Sequence, residues 1–153
     1  MPHNEPGAWD VFISHTQRNA EAKLLATELY ASLKERGLSV WLDVKMLDKN
    51  EAAMREGVVN SKLVIAVITD GGGVPGNAYF EREYCVKELR WAFEQGVTIQ
   101  PVIRMEDKQR IGEFLNGVQG NSPSKTFAGA PEDLKHLAEI DWMFGLDNRI
   151  LPG

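Results

Sequence analysis

The chain alternates between short apolar runs and longer amphipathic stretches. Residues 63–69 form the clearest run, because apolar side chains follow one another there with no polar alternation. Continuous runs of this kind are typical of strands that are covered on both faces. Similar runs predict strands at 10–15, 38–42 and 97–103, and a short fifth strand is predicted around 140–144.

An amphipathic helix follows the first predicted strand. It opens at Asn19, whose side chain suits a helix N-cap, and ends at Gly37, because glycine favours the left-handed backbone angles of a helix end. The apolar positions between them follow the spacing of one helical face. These positions are Ala22, Leu25, Ala26, Leu29 and Leu33.

Further helices lie between the later strands. Asp48 and Glu51 have the spacing of a capping box, so we predict a short helix from there to about Asn60. Gly57 weakens that helix, because glycine is a poor helix former. The remaining helical patterns lie at 81–95, 106–115 and 133–142.

Strands that alternate with helices build βαβ units, whose right-handed crossovers produce a central parallel sheet. We therefore predict a three-layer α/β fold of the flavodoxin-like type, with five parallel strands in the order 2-1-3-4-5. Residues 9–153 form one domain behind a disordered N-terminal tail at 1–8. Sites in such sheets lie outside the carboxyl ends of the strands, which here are the segments 14–18, 43–49 and 70–79.

The composition narrows the class of partner. The 153 residues have a formal net charge of −5, which argues against general binding to nucleic acid or to an anionic membrane surface. No apolar stretch approaches the roughly 18 residues of a membrane span, so we expect no membrane insertion. The single cysteine, Cys85, excludes an intrachain disulfide, and three scattered histidines indicate no metal site. We expect a cytoplasmic protein.

The helix at 81–95 has a candidate chemical group. At about 100° per residue, one apolar stripe forms on this helix, and its members are Cys85, Val86, Leu89, Ala92 and Phe93. Tyr84, Glu88 and Trp91 form a second group, so Glu88 is predicted at the margin of the buried face between two aromatic rings. A partly desolvated carboxylate suits proton transfer or the stabilisation of a developing cation. The alternative is an ordinary surface glutamate.

Two other patterns near the predicted sheet edge are weaker. Gly71, Gly72 and Gly73 lack the Gly-Lys-Ser/Thr ending of a phosphate-binding loop, so a flexible loop is favoured. Asp70 ends a strand at the place where some regulators are phosphorylated. The segment 14–18 contains no carboxylate to bind the magnesium ion that such proteins need, which disfavours that hypothesis.

Three segments together resemble the Toll/interleukin-1 receptor (TIR) domain family. Residues 10–15 (DVFISH) are similar to its first strand, and 37–43 (GLSVWLD) are similar to its second strand. That strand leads into the family's BB loop, which corresponds to 43–50. Residues 84–89 (YCVKEL) resemble its aromatic-Cys-x-x-Glu-Leu motif on the third major helix. The three occur in the family's order.

The resemblance implies one of two functions. Some members cleave NAD⁺ at the nicotinamide–ribose bond in immune or stress signalling, giving ADP-ribose or a cyclic isomer. Other members are non-catalytic adaptors that bind further TIR domains. NAD⁺ is then a substrate rather than a cofactor, and the partners are NAD⁺ and other TIR domains through homo-oligomerisation. An aromatic residue with a glutamate four positions later is typical of the enzymes, which favours NAD⁺ cleavage here.

The resemblance also implies roles for individual residues. Glu88 corresponds to the catalytic glutamate. The residues implied in substrate binding are Phe12, Ser14, Arg18, Trp41, Asp43, Lys45 and Tyr84. Among them, the aromatic rings line the nucleotide pocket, and the two cations are placed to meet a diphosphate.

Overall fold

The computed structural model describes residues 9–42, 51–70, 76–117 and 129–145. Its sheet has five parallel strands in the order β2-β1-β3-β4-β5. This confirms the predicted three-layer α/β fold and its strand order. The strands are β1 (Trp9–Ser14), β2 (Val40–Trp41), β3 (Ser61–Val67), β4 (Thr98–Ile103) and β5 (Met143–Phe144).

The helices occupy most of the predicted positions. They are α1 (Ala20–Glu35), α2 (Glu51–Val59), α3 (Glu83–Glu94) and α4 (Ile111–Asn116), with 3-10 turns at Tyr79–Glu81, Met105–Asp107 and Glu132–Glu139. No helix in these four described ranges is long and apolar enough to cross a membrane. The predicted tail at 1–8, the capping residue Asp48 and the glycines at 71–73 lie outside the described residues.

The prediction of one continuous helix at 106–115 was wrong. A 3-10 turn ends at Asp107, and α4 begins only at Ile111. The Asp107 side chain is buried and accepts hydrogen bonds from Arg104 and Arg110, which lie on either side of it in the sequence. The break between the two segments therefore lies beside a buried carboxylate that is held by an arginine on each side.

The first helix begins and ends as predicted. The Asn19 side-chain oxygen accepts hydrogen bonds from the backbone nitrogens of Glu21 (2.9 Å) and Ala22 (3.2 Å). Gly37 has a φ of 81°, in the left-handed region that glycine tolerates. The Asn19 side-chain nitrogen also donates to the backbone oxygen of Asp70 at 2.5 Å, which joins the start of α1 to the chain just after β3.

Each strand divides its side chains between two cores, because successive residues point to opposite faces. Val11 and Ile13 of β1 pack in the cluster that contains the buried face of α1. Phe12 packs in the other cluster, beneath α2 and α3. Ser14 is two residues beyond Phe12, so the same alternation directs it towards α3.

Gly57 of α2 lies where the helix backbone closely approaches the sheet. A Cβ atom at this position would be 2.8 Å from Nε1 of Trp41 and 3.1 Å from Cε2 of Phe12. These two rings are buried and stack with centroids 4.6 Å apart, so neither can move freely. The glycine that weakens the helix by propensity therefore permits the contact between α2 and the sheet.

Gly57→Ala is expected to destabilise the protein by about 1–3 kcal/mol, because overpacking the Phe12–Trp41 pair exceeds the gain of about 1 kcal/mol in helix propensity. Chemical denaturation of both proteins measures the difference. Gly112→Ala in α4 is the matched control, since a Cβ there has nothing within 4 Å, and it is expected to be neutral or stabilising. Equal effects of the two substitutions would contradict the packing argument.

Candidate functional site

Glu88 lies within the buried face of α3. Only 4% of its surface is exposed, so its carboxylate is buried more completely than the partial desolvation predicted for a residue at the margin of that face. At about 100° per residue it is only about 60° from Cys85 and about 40° from Ala92 around the helix axis. Both of these neighbours are buried, and Glu88 is therefore between them and the two aromatic residues of its own group.

The Glu88 carboxylate meets the end of the first strand. Ser14 Oγ donates a hydrogen bond to Glu88 Oε1 at 2.6 Å, and both residues are buried. Because α3 connects two parallel strands, its N-terminus lies at their carboxyl ends, and long helical side chains point towards the N-terminus. The carboxylate is thus at the sheet edge where α/β proteins place their sites.

Tyr79 completes this arrangement and was not singled out from the sequence. Its phenolic oxygen is 2.6 Å from Ser14 Oγ, and the residue is fully buried. Its backbone nitrogen donates to the Thr69 oxygen at 2.9 Å, which holds Tyr79 at the carboxyl end of β3. The sequence analysis predicted that the segment 70–79 lies at this edge. The tyrosine at the end of that segment, just before the helix that contains Glu88, could have been identified from its position.

The three side chains form a directed chain of hydrogen bonds. An ionised carboxylate only accepts, so the single Ser14 proton is used by Glu88 and the Ser14 oxygen must accept from Tyr79. Burial raises the pKa of the Tyr79 phenol well above its usual range, and the nearby Cys85 and Glu88 act in the same direction, while the hydrogen bond with Ser14 opposes them. Tyr79 consequently keeps its proton at neutral pH and can donate it.

Phe12 and Trp41 lie deeper than the site edge. Both side chains are buried in the core cluster beneath α2 and α3, and their rings are stacked with an interplanar angle of 16°. The residues implied as pocket-lining aromatics are therefore part of the packing that supports β1 and β2.

The aromatic residues flanking Glu88 on α3 have different surroundings. Tyr84 is 44% exposed, and Lys87 Nζ is 5.3 Å from the centroid of its ring. Trp91 is partly buried and packs against the core. Phe93, predicted in the apolar stripe, is instead 57% exposed. Its ring lies near the end of α3 and packs 4.5 Å from that of His136.

Of the remaining predicted substrate-binding residues, Arg18 lies in the described part of the chain. Arg18 is exposed, and its backbone oxygen accepts from the Asn77 side chain at 3.2 Å. Asp43 and Lys45 lie outside the described residues. Asp70 is 2.7 Å from Arg110. In the described ranges, no three His, Cys, Asp or Glu side chains are grouped as a metal site requires.

An ion-pair network beside β4 was also missed. Asp107 is 2% exposed and accepts two hydrogen bonds from Arg104, at 2.9 and 3.2 Å, and one from Arg110 at 3.0 Å. Arg104 also contacts Glu21 of α1 at 2.8 Å. The network thus joins the residue after β4 to α1, and through the Asp70 contact of Arg110 it reaches the end of β3.

His15, next to Ser14, is buried and its pKa is lowered to about 4. Burial is the main cause, and the charge of Lys23 acts in the same direction. A hydrogen bond with the Ile13 backbone opposes both effects. The imidazole is therefore neutral at physiological pH.

Acidification from pH 6.5 to pH 4 is expected to destabilise the protein through His15. In this window His15 of the unfolded chain binds a proton and His15 of the folded chain does not. The free energy of unfolding therefore decreases as the pH is lowered, and His15 accounts for a loss of about 3 kcal/mol across the window. Denaturation of wild type and His15→Gln at several pH values measures it, and the variant should show a flatter dependence. Parallel curves would contradict the assignment. Lys23→Gln should narrow the pH range of this destabilisation, because it removes a charge that lowers the pKa of folded His15.

The comparisons with known proteins agree on one family. A family model described as "TIR domain" matches residues 11–137. The TIR domain of the Toll-related receptor TRR-2 from Hydra magnipapillata is similar in structure, with a TM-score of 0.56 and 14% identity over 94% of this chain and 89% of that chain. No curated protein matches the chain.

A second structure extends the comparison. The TIR domains of the activated Roq1 resistosome, which directly recognises the pathogen effector XopQ, give a TM-score of 0.51 and 18% identity. The match covers 63% of this chain and 58% of that chain. At these identities the two structures establish a shared fold.

Proposed function

The chain belongs to the TIR domain family, and we propose that it is an enzyme of that family that cleaves NAD⁺ at the nicotinamide–ribose bond. The proposal rests on one observation. Glu88, the position that the family motif marks as catalytic, has its carboxylate at the carboxyl edge of the sheet and accepts a hydrogen bond from Ser14. A glutamate with only a solubilising role would be exposed.

The carboxylate is the main chemical group that the reaction requires from the protein. When the glycosidic bond breaks, its electron pair leaves with the nicotinamide nitrogen and neutralises that cation, so no strong general acid is needed. Positive charge then develops on the ribose, as in glycoside hydrolysis, and the Glu88 carboxylate stabilises it. Water adds to the anomeric carbon and loses a proton to give ADP-ribose. Attack by a group of the same nucleotide gives a cyclic isomer instead.

The substrate would approach Glu88 from the carboxyl edge of the sheet. The strands β2 and β3 end at this edge, and the segments that follow them in the sequence, 43–50 and 71–75, lie outside the described residues. Asp43 and Lys45 belong to the first of them, so their proposed contacts with the nucleotide follow from the family resemblance. Arg18 and Tyr84 are exposed, so a ligand can reach them, and their proposed contacts with the nucleotide also follow from the family resemblance.

The direct test is incubation of the purified protein with NAD⁺ and chromatographic separation of the products. We expect release of nicotinamide in equal amount to ADP-ribose or a cyclic isomer, and the chromatogram distinguishes these two. Protein that binds other TIR domains but releases no nicotinamide at any concentration would overturn the enzyme proposal. It would then support the second function, that of a non-catalytic adaptor acting by association.

We expect the activity to depend on self-association. The specific activity should rise with protein concentration, because the family's enzymes complete their sites in assemblies and a second copy binds by mass action. Nicotinamide release per mole of protein, measured across a dilution series alongside light scattering, tests this. A specific activity that stays constant while the scattering mass changes would show that one copy is sufficient.

A further inference from the structure

We propose that Tyr79 is a positioning residue for Glu88 and acts through Ser14, so that the phenol fixes the direction in which the Ser14 hydroxyl donates and thereby fixes the carboxylate. The inference rests on the proposed function for its consequence in catalysis. Its structural part, the positioning of Glu88, can be tested separately.

The geometry supports a relay rather than two separate contacts. Ser14 Oγ is 2.6 Å from both the Tyr79 phenolic oxygen and Glu88 Oε1. A serine hydroxyl is a free rotor with one donor and two acceptor positions. With only Glu88 as partner, its proton could leave the carboxylate by rotation about one bond. With Tyr79 donating into its oxygen, one lone pair is occupied and the remaining proton is directed at Glu88.

The members of the relay are anchored on three different elements. Ser14 ends β1, Tyr79 is held to the end of β3 through the Thr69 backbone, and Glu88 belongs to α3. The Tyr79 ring is further fixed by an edge-on contact with Phe80, with centroids 5.2 Å apart. A donor that is fixed on the sheet can orient a helix side chain without itself contacting the substrate.

Burial increases the effect that losing one hydrogen bond has on the other members of the relay. All three residues are nearly inaccessible to water, so a hydroxyl that loses its partner here finds no replacement in solvent. In such surroundings successive hydrogen bonds also strengthen one another. The orientation of Glu88 should therefore depend on Tyr79 through the Ser14 hydroxyl.

The experiment compares Tyr79→Phe with wild type by two measurements. The first is the NMR signal of the Glu88 side-chain carboxyl carbon in ¹³C-glutamate-labelled full chain, assigned by its absence in Glu88→Gln. We expect this signal to shift or broaden in Tyr79→Phe and in Ser14→Ala. Tyr30→Phe on α1, on the opposite side of the sheet, is the matched control and should leave the signal unchanged.

The second measurement is steady-state NAD⁺ cleavage. Tyr79→Phe should lower kcat roughly tenfold with little change in KM, since the residue orients a catalytic group and does not bind substrate. The double variant Ser14→Ala/Tyr79→Phe should lose no more than Ser14→Ala alone, because Tyr79 acts through Ser14. Independent, multiplicative losses would overturn the relay.

The two proposals fail in different ways. An unchanged Glu88 carboxyl signal in folded Tyr79→Phe overturns the positioning role, whether or not the protein cleaves NAD⁺. A shifted signal in a protein that releases no nicotinamide supports the positioning of Glu88 and overturns the enzymatic function. Should Tyr79→Phe fail to fold, 3-fluorotyrosine incorporated at position 79 keeps the phenol but alters its strength as a donor. A shifted Glu88 carboxyl signal then supports the positioning role, and an unchanged signal overturns it.

Discussion

Glu88→Gln is expected to lower the rate of NAD⁺ cleavage by at least about 100-fold, because it removes the negative charge that stabilises the developing ribose cation. The amide has nearly the same shape as the carboxylate, and its oxygen can still accept from Ser14 Oγ, which donates to Glu88 at 2.6 Å. The fold should therefore be retained. Because the charge acts chiefly on the transition state, the loss should appear in kcat more than in KM.

The matched control is Glu83→Gln, five residues earlier on α3. The Glu83 side chain is 76% exposed and pairs with Lys87 at 3.2 Å, so its replacement removes the same charge from the same helix without entering the buried site. We expect that variant to cleave NAD⁺ at close to the wild-type rate. Equal losses in the two variants would mean that the net charge of α3, and not the Glu88 carboxylate, determines the rate.

Asp107→Asn is expected to destabilise the protein by about 3–5 kcal/mol, which is the usual range when one partner of a buried ion pair is neutralised. Asp107 is the shared acceptor for Arg104 and Arg110, and the amide cannot accept on both sides as the carboxylate does. Both guanidinium groups keep another carboxylate, Glu21 or Asp70, which favours the lower end. The midpoint of thermal unfolding should fall by roughly 10 °C.

Glu113→Gln is the control for this network. Glu113 contacts Arg110 Nε at 3.2 Å from a half-exposed position, and solvent screening limits such a pair to within about 1 kcal/mol. Denaturation of the two variants in parallel should therefore separate the buried carboxylate from the surface one. If Asp107→Asn unfolds at the same denaturant concentration as Glu113→Gln, the buried pair contributes little to stability.

The parts of the fold that could be predicted are those governed by local rules. The apolar run at 63–69 and the spacing of Leu25, Leu29 and Leu33 indicate a strand and a helix without reference to the rest of the chain. Asn19 and Gly37 bound α1 because capping and left-handed angles depend on residue type. Alternating elements then leave few sheet orders that satisfy right-handed crossovers.

The site could be predicted only where a sequence motif marks it. Glu88 stood out through its motif, yet its depth was misjudged, because helical angles alone do not say how much of the helix circumference the neighbouring elements cover. Tyr79 was missed since its partner Ser14 is 65 residues away. Asp107 was missed although both of its arginines are only three residues away, because the burial of its side chain depends on how other elements pack around it.

The close contact at Gly57 also couples the elements that meet there. Gly57 of α2 faces Trp41 of β2 and Phe12 of β1 in the core. Because protein interiors are closely packed, none of these three elements can be displaced at this point without moving a ring that the others contact. A substitution that shifts α2 is therefore expected to be transmitted to β1, whose last residue, Ser14, donates to Glu88.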